Sequence, residues 1–216
     1  MGGQLKMAIQ HDVAKGMLEV GAVELSPNDL FTWASGIKSP IYCDTRLTIS
    51  FPKVRKVIAQ GLADLINEKF PGTELVAGTA TAGIPHAAWV AEILDLAMVY
   101  VRSKPKDHGR GKQTEGKFQA GAKTVVIEDI VSTGGSSINA VEALNREGAD
   151  VLGVVSVYSY LLPAALENFE KAGVPYYSLS NFEALIEAAK ETGAIEEADI
   201  PGLLSWYEDL KAGNLK

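Results

Sequence analysis

The chain holds a single cysteine, Cys43. One thiol closes no internal disulfide and builds no multi-cysteine zinc site, which points to a reducing compartment. Long apolar runs are missing as well. The most apolar stretch, residues 151–162, is far below the ~20 residues that a bilayer-spanning helix needs. The N-terminal residues lack the unbroken apolar core of a secretory signal, because Lys6, His11, Asp12 and Lys15 interrupt them. Lys6 also stands where a myristoylation signal requires Ser or Thr. The expectation is a cytoplasmic protein with no membrane partner. Positive charge is in deficit too, with 20 Lys and Arg against 27 Asp and Glu and a formal charge of −7. A pI near 5.1 argues against a nucleic-acid partner, so any polyanion bound here is small and met by a local basic site.

What is present is enough oil for a core. Apolar residues make up 47% of the 216 and charged residues 22%, which is ordinary for a soluble globular protein that needs no disulfide or metal staples. The length favours one large domain, residues 1–216, and no internal repeat or linker divides it. Residues 5–20 carry apolar side chains at Leu5, Ile9, Val13, Met17 and Val20, the spacing of one helix face that Gly21 would stop. Residues 31–44 read as two short extended runs around a Gly36 turn. Pro52 suits the first position of a helix reaching to 66. Short apolar strands then alternate with helices. Strands are expected at 74–78, 97–102, 123–129, 151–158 and 175–179, with helices at 84–94, 136–147, 163–172, 182–192 and 195–210. That pattern means an α/β fold with a central parallel sheet flanked by helices. In such sheets ligands bind where the strands end.

The strongest signal is residues 125–137, Val-Val-Ile-Glu-Asp-Ile-Val-Ser-Thr-Gly-Gly-Ser-Ser. A buried strand ends in two acids, and a hydroxyl- and glycine-rich turn then opens a helix. Gly134 and Gly135 let successive backbone N–H groups converge on an anion at the helix start, and Ser132, Thr133, Ser136 and Ser137 add hydroxyl donors. Glu128 and Asp129 suit sugar hydroxyls, which donate to carboxylates. Acid pair and phosphate cradle together describe a ribose 5-phosphate. Neither the nucleotide-triphosphate loop nor the dinucleotide fingerprint occurs at its spacing. A plain helix cap with solvated acids is the ordinary alternative for a Gly/Ser turn, but adjacent acids directly after the apolar run disfavour it.

Residues 125–137 resemble the phosphoribosyl-pyrophosphate (PRPP) signature of the type I phosphoribosyltransferases. Within that family, residues 31–40 (Phe-Thr-Trp-Ala-Ser-Gly-Ile-Lys-Ser-Pro), 78–85 (Gly-Thr-Ala-Thr-Ala-Gly-Ile-Pro) and 102–109 (Arg-Ser-Lys-Pro-Lys-Asp-His-Gly) resemble the orotate phosphoribosyltransferases. The resemblance implies the type I fold, with a small N-terminal hood over residues 1–50, a core over 51–216 and a long mobile catalytic loop. It implies transfer of phosphoribosyl from PRPP to orotate in pyrimidine synthesis, with Mg²⁺ held mainly by PRPP rather than by a protein cage. It also implies a homodimer in which the loop crosses to the neighbouring subunit's site.

Residue by residue, Asp129 then stands near the reacting carbon and Glu128 on the ribose hydroxyls. Ile130, Val131, Ser132, Thr133, Gly134, Gly135 and Ser136 hold the 5′-phosphate, and Ser132 also touches orotate. The loop, residues 103–122, has only Phe118 as a large apolar side chain, and loops of that length are lids or disordered. Its start carries Arg102, Lys104, Lys106, Arg110 and Lys112 against Asp107, the charge that a cover over leaving pyrophosphate requires. Lys106 matches the family's catalytic lysine, Arg102 and His108 match its PRPP contacts, and Lys104 is a further candidate. Small residues at 77–85 let pyrophosphate approach the backbone. Lys38 is placed at the orotate carboxylate or the pyrophosphate, with Tyr42 and Cys43 along the base. Ala34, Ala82 and Ser103 stand where some members carry lysine. The residues themselves leave two alternatives open: a PRPP sensor without turnover, and a purine or uracil as the base.

Overall fold

The structure, a computed structural model, describes residues 2–33, 36–105 and 112–215, with backbone alone for residues 2–7. The chain opens with α1 (Gly2–Glu19) and the short strands β1 (Val23–Leu25), β2 (Phe31–Thr32), β3 (Lys38–Ser39) and β4 (Ile41–Cys43). A 3₁₀ segment (Thr45–Ser50) leads into α2 (Pro52–Lys69). Then follow β5 (Leu75–Thr79), α3 (Gly83–Leu94), β6 (Ala97–Val101), β7 (Thr114–Glu115) and β8 (Lys123–Val131). After these come α4 (Gly135–Arg146), β9 (Asp150–Ser159), α5 (Pro163–Lys171), β10 (Tyr176–Asn181) and α6 (Phe182–Thr192). A 3₁₀ turn (Glu197–Asp199) and α7 (Ile200–Ala212) close it.

The chain groups into two units, residues 55–179 and residues 1–54 with 180–216. In the latter, Gly21 adopts φ +70°, and the Gly21 and Ala22 amides return to the Leu18 and Met17 carbonyls, so α1 ends in a Schellman turn. Helix α1 packs on α6, burying Val13, Met17, Phe182 and Leu185, while Ser180 Oγ donates to the Gln10 carbonyl at 2.9 Å. The Phe182 ring stacks on Tyr207 at 4.1 Å. Strands β1 and β4 pair antiparallel, as do β2 and β3. Residues 180–216 were expected with the core; they pack instead on the N-terminal segment, because α6 turns its buried stripe onto α1.

The other unit carries the six-stranded sheet, in order β10-β9-β8-β5-β6-β7. Pairings β5–β6, β5–β8 and β8–β9 are parallel. Every residue of β5 and most of β8 is buried, as expected of strands covered on both faces. Leu75, Ala77, Val126 and Val154 pack with Val141, Leu144 and Phe169 of α4 and α5. The alternate residues Val76, Val125 and Ile127 are equally buried on the other face, where α3 packs on β5 and β8. A bulge between Thr124 and Val125 shifts the β8–β9 register. It brings Gly153 against Phe70, whose ring stands 2.2 Å from where a Cβ would be.

Chain direction fixes where a ligand goes. From β5 the chain runs through α3 to β6 on one side, and from β8 through α4 to β9 on the other. The crevice therefore opens between the carboxyl ends of β5 and β8. There β8 outruns its neighbour, since the last β5 pairing is Gly78 with Ile127 while β8 follows β9 as far as Val131 with Ser159.

Several elements differ from the sequence expectation: β1 and the 3₁₀ segment Thr45–Ser50 fall where none was expected, and residues 31–44 hold three short strands rather than two runs. Strand β7 lies in what reads as loop and pairs antiparallel with β6 through Tyr100–Glu115 and Val101–Thr114; two residues are too few for any periodicity to show. The single helix expected at 195–210 is divided, because Glu196 and Asp199 form a reciprocal capping box and a proline occupies the first turn of α7, a position proline tolerates only at a helix start.

Candidate active site

The turn after β8 is built by glycine geometry. Gly134 sits at φ +80° as the residue before α4, and a Cβ there would meet the Phe169 ring at 2.8 Å, so Gly134 is required twice over. Around Gly135 there is open space. Asn168 Nδ2 donates to the Thr133 carbonyl at 3.0 Å and ties the turn to α5. Glu128 and residues 130–137 line a pocket of about 200 Å³, into which the first amides of α4 can donate. Ser132, Thr133, Gly135 and Ser136 are exposed on it.

The two acids face different surroundings, as adjacent strand residues must. Glu128 is only 6% exposed. Its Oε1 accepts from Thr79 Oγ1 and from the Asp129 amide at 3.1 Å, and its Oε2 accepts from Ser137 Oγ at 3.1 Å. Burial, reinforced by the neighbouring Asp129 carboxylate and opposed by the Thr79 hydroxyl, pushes the Glu128 carboxyl up to about 7. Asp129 is half-buried and faces His86 in the first turn of α3. His86 is fully buried, and neither ring nitrogen has a hydrogen-bond partner among the described residues. Burial pushes its imidazole down to about 4 against the pull of Asp129.

A second, smaller pocket of about 60 Å³ adjoins the turn. Thr79 at the end of β5 and Ala80 just after it, Arg102 and Ser103 after β6, and Ser136 and Asn139 of α4 line it. Gly83 lies so close to β8 that a Cβ would meet the Ile127 carbonyl at 2.5 Å, which brings the 78–83 turn onto the crevice. The structure thus joins Glu128, residues 130–136 and Arg102 around one strand-end region. Lys104 is exposed at the loop's start. Lys38 belongs to the other unit, where its Nζ donates to Thr32 Oγ1 at 2.6 Å and its carbonyl accepts from Trp206 Nε1 at 3.0 Å. Tyr42 is exposed and its ring lies 5.7 Å from that of Phe31. Lys106 and His108 lie outside the described residues. A larger hollow of about 610 Å³ opens at the other end of the sheet, where β5 and β6 begin, and none of these site residues lines it.

Sequence reasoning missed His86, Gln113, Asn139 and Glu147. His86 follows Pro85 in an apolar helix, and the other three come together only through pairings across 26–34 residues. No local pattern marks them.

A mainly parallel sheet whose switch point carries an acid pair and a hydroxyl–glycine turn defines the phosphoribosyltransferase class, and the family model for the phosphoribosyl transferase domain matches residues 47–177. The chain is 56% identical over 201 residues to the orotate phosphoribosyltransferase of Bacillus cereus, covering 93% of this chain and 96% of that one. The crystal structure of orotate phosphoribosyltransferase from Aeropyrum pernix superposes with a TM-score of 0.73 at 27% identity, covering 85% of this chain and 99% of that one. The Mycobacterium tuberculosis enzyme in complex with PRPP shares the fold at a TM-score of 0.63 and 24% identity, over 81% of this chain and 98% of that one. The chain belongs to the orotate phosphoribosyltransferase family.

Proposed function

We propose that the chain transfers the phosphoribosyl group of PRPP to N1 of orotate, giving orotidine 5′-monophosphate and pyrophosphate in pyrimidine synthesis. The observation that supports this reading is the shared strand-end region: the buried Glu128 carboxylate and a phosphate-sized turn line one pocket, and Arg102 lines the smaller pocket that meets it at Ser136, where β5 and β8 part. N1 of orotate attacks carbon 1 of the ribose as the bond to the pyrophosphate oxygen breaks, the electron pair leaves with pyrophosphate, and the N1 proton passes to the departing pyrophosphate or to solvent. No protein nucleophile is needed. The work lies in positioning, in neutralising developing charge and in excluding water.

Asp129 and Glu128 take the ribose hydroxyls, with Asp129 beside the carbon that gains positive character. Residues 130–136 take the 5′-phosphate through amides and hydroxyls, and Ser132 reaches orotate. Arg102, Lys104, Lys106 and His108 take the pyrophosphate. Lys38 meets the orotate carboxylate. Mg²⁺ carried mainly by PRPP rather than by protein ligands would supply charge neutralisation for the leaving group, beside Arg102, Lys104, Lys106 and His108. The reading includes a cytoplasmic homodimer in which the loop of residues 103–122 reaches the neighbouring subunit's site. Among the described residues, no helix is long and apolar enough to cross a membrane.

The test is loss of orotate absorbance with PRPP and Mg²⁺ present, for wild type beside Lys106→Ala. Consumption by wild type, lost at least about 100-fold in the variant, is the expected result. Turnover of another base alone would overturn the choice of orotate, and PRPP binding without turnover of any base would overturn the reaction.

A further inference from the structure

The two residues that bracket the ends of the 102–113 segment are held by a buried polar clamp. Gln113 is 3% exposed. Its carbonyl accepts from the Arg102 amide at 3.0 Å and its Nε2 donates to the Arg102 carbonyl at 2.6 Å. The same Nε2 reaches Asn139 Oδ1 at 3.5 Å, and Gln113 Oε1 accepts from an Arg146 guanidinium nitrogen at 3.3 Å. Asn139 Nδ2 donates to the Ser103 carbonyl at 3.2 Å. On the far side, Glu147 Oε1 accepts from the Gln113 and Thr114 amides at 2.8 and 3.1 Å.

These bonds converge on one place. Arg102, Ser103 and Asn139 are three of the residues lining the pocket of about 60 Å³ beside Ser136. The β6–β7 ladder beneath them has only two residue pairs, too short an anchor to fix a strand end on its own. A hydrophobic side chain at 113 would fill the same volume. An amide there does something more: its side chain bonds the Arg102 main-chain carbonyl and two side chains of α4, the helix whose start forms the phosphate turn. Buried, fully paired amides of this kind specify one geometry.

We propose that Gln113 and Asn139, backed by Glu147, are positioning residues that set Arg102 and Ser103 against the first turn of α4 and so shape the subsite for the pyrophosphate half of PRPP. The inference rests on the proposed reaction and deepens it. Of the 5′-phosphate turn, residues 130–136, only Ser136 lines the pocket beside the clamp; residues 130–135 line the other pocket alone. The two halves of PRPP are therefore gripped by separately removable groups.

The experiment compares Gln113→Leu and Asn139→Ala with wild type by titration calorimetry. One ligand is inorganic pyrophosphate with Mg²⁺; the other is orotidine 5′-monophosphate, which carries the 5′-phosphate and no pyrophosphate. Steady-state KM for PRPP is measured alongside. In each variant the pyrophosphate Kd and the PRPP KM should rise about tenfold, the effect of losing one well-aligned contact, while the orotidine 5′-monophosphate Kd stays within about twofold. Equal weakening of both ligands would mean a merely structural role and overturn the proposal. Unchanged pyrophosphate binding would overturn it too. Asn139 is half-buried at the pocket rim, so its variant keeps the test decisive should Gln113→Leu fold poorly. Absence of orotate turnover by wild type would instead strike the proposed reaction, because the pyrophosphate comparison needs no turnover.

Discussion

Glu128 and His86 are buried titratable groups that both feel the Asp129 carboxylate, and their shifts run against one another. Folding lowers the His86 pKa from an ordinary 6.5 to about 4 and raises that of Glu128 from 4.5 to about 7. A depressed base contributes stability above its unfolded pKa and loses it as pH falls from 6.5 to 4. A raised acid contributes stability below its unfolded pKa and loses it as pH rises from 4.5 to 7. Each shift corresponds to about 3 kcal/mol. Between pH 4.5 and 6.5 the unfolded chain holds a proton on His86, while the folded chain holds one on Glu128. The proton count is equal, so the two slopes cancel in wild type. Single substitutions should unmask them. Relative to wild type, His86→Leu should lose up to about 3 kcal/mol as pH rises from 4.5 to 6.5, and Glu128→Gln should lose a similar amount as pH falls across the same window. For a chain of this size, that amounts to roughly 6–12 °C in melting temperature. Thermal unfolding by circular dichroism at half-unit pH steps reads both difference profiles, since groups common to all three proteins drop out. Two flat profiles, or two of the same sign, would refute the reasoning. His86→Leu breaks no hydrogen bond among the described residues, so it should melt no lower than wild type at pH 7.

Three further outcomes follow from the geometry. Asp129→Asn keeps the shape and removes the charge beside the reacting carbon, so kcat should fall by about 10²–10³-fold with a melting temperature near that of wild type; normal turnover in a destabilised variant would remove Asp129 from the site. Gly134→Ala must hold a Cβ at φ +80° and 2.8 Å from the Phe169 ring, so denaturant titration should show a loss of about 1–3 kcal/mol together with weaker binding of orotidine 5′-monophosphate. Gly153→Ala would drive a methyl into the Phe70 ring and the Pro175 carbonyl at the bulge, and should cost about 2–3 kcal/mol without changing the KM for PRPP.

Much of this molecule could be read from its residues in order. The parallel sheet followed from near-continuous apolar runs read at 74–78, 123–129 and 151–158, within a residue or two of the strands observed, because strands buried on both faces need no polar alternation. The phosphate turn was legible because its chemistry is local, with acids, hydroxyls and glycines all within residues 128–137. Contacts joining residues far apart were not legible. Glu147 reaches Gln113 across 34 residues and Thr79 reaches Glu128 across 49, and neither residue type stands out in its own neighbourhood. Residues 180–216 were assigned to the wrong neighbours for the same reason, since their amphipathic stripe says that a partner exists but not which helix it is. His86 was passed over because a histidine in an apolar helix looks like core until its nitrogens are found unpartnered beside an acid.

The overhang of β8 beyond β5 bears on how this site tolerates change over generations. Past Ile127 the strand keeps β9 on one side and pairs with no β5 residue on the other; the Asp129 amide is taken by Glu128 Oε1 and the Val131 carbonyl by the Tyr160 amide, and the proposed reaction assigns the remaining peptide groups to the ligand. Recognition through peptide groups does not depend on which side chain a codon specifies, provided the backbone path is kept. Ile130 and Val131 can therefore drift among residues of similar volume without erasing the contacts they present, whereas Gly134, which sets the path itself, cannot. The site's heritable information is concentrated in the few positions that shape the main chain and in the carboxylates beside it.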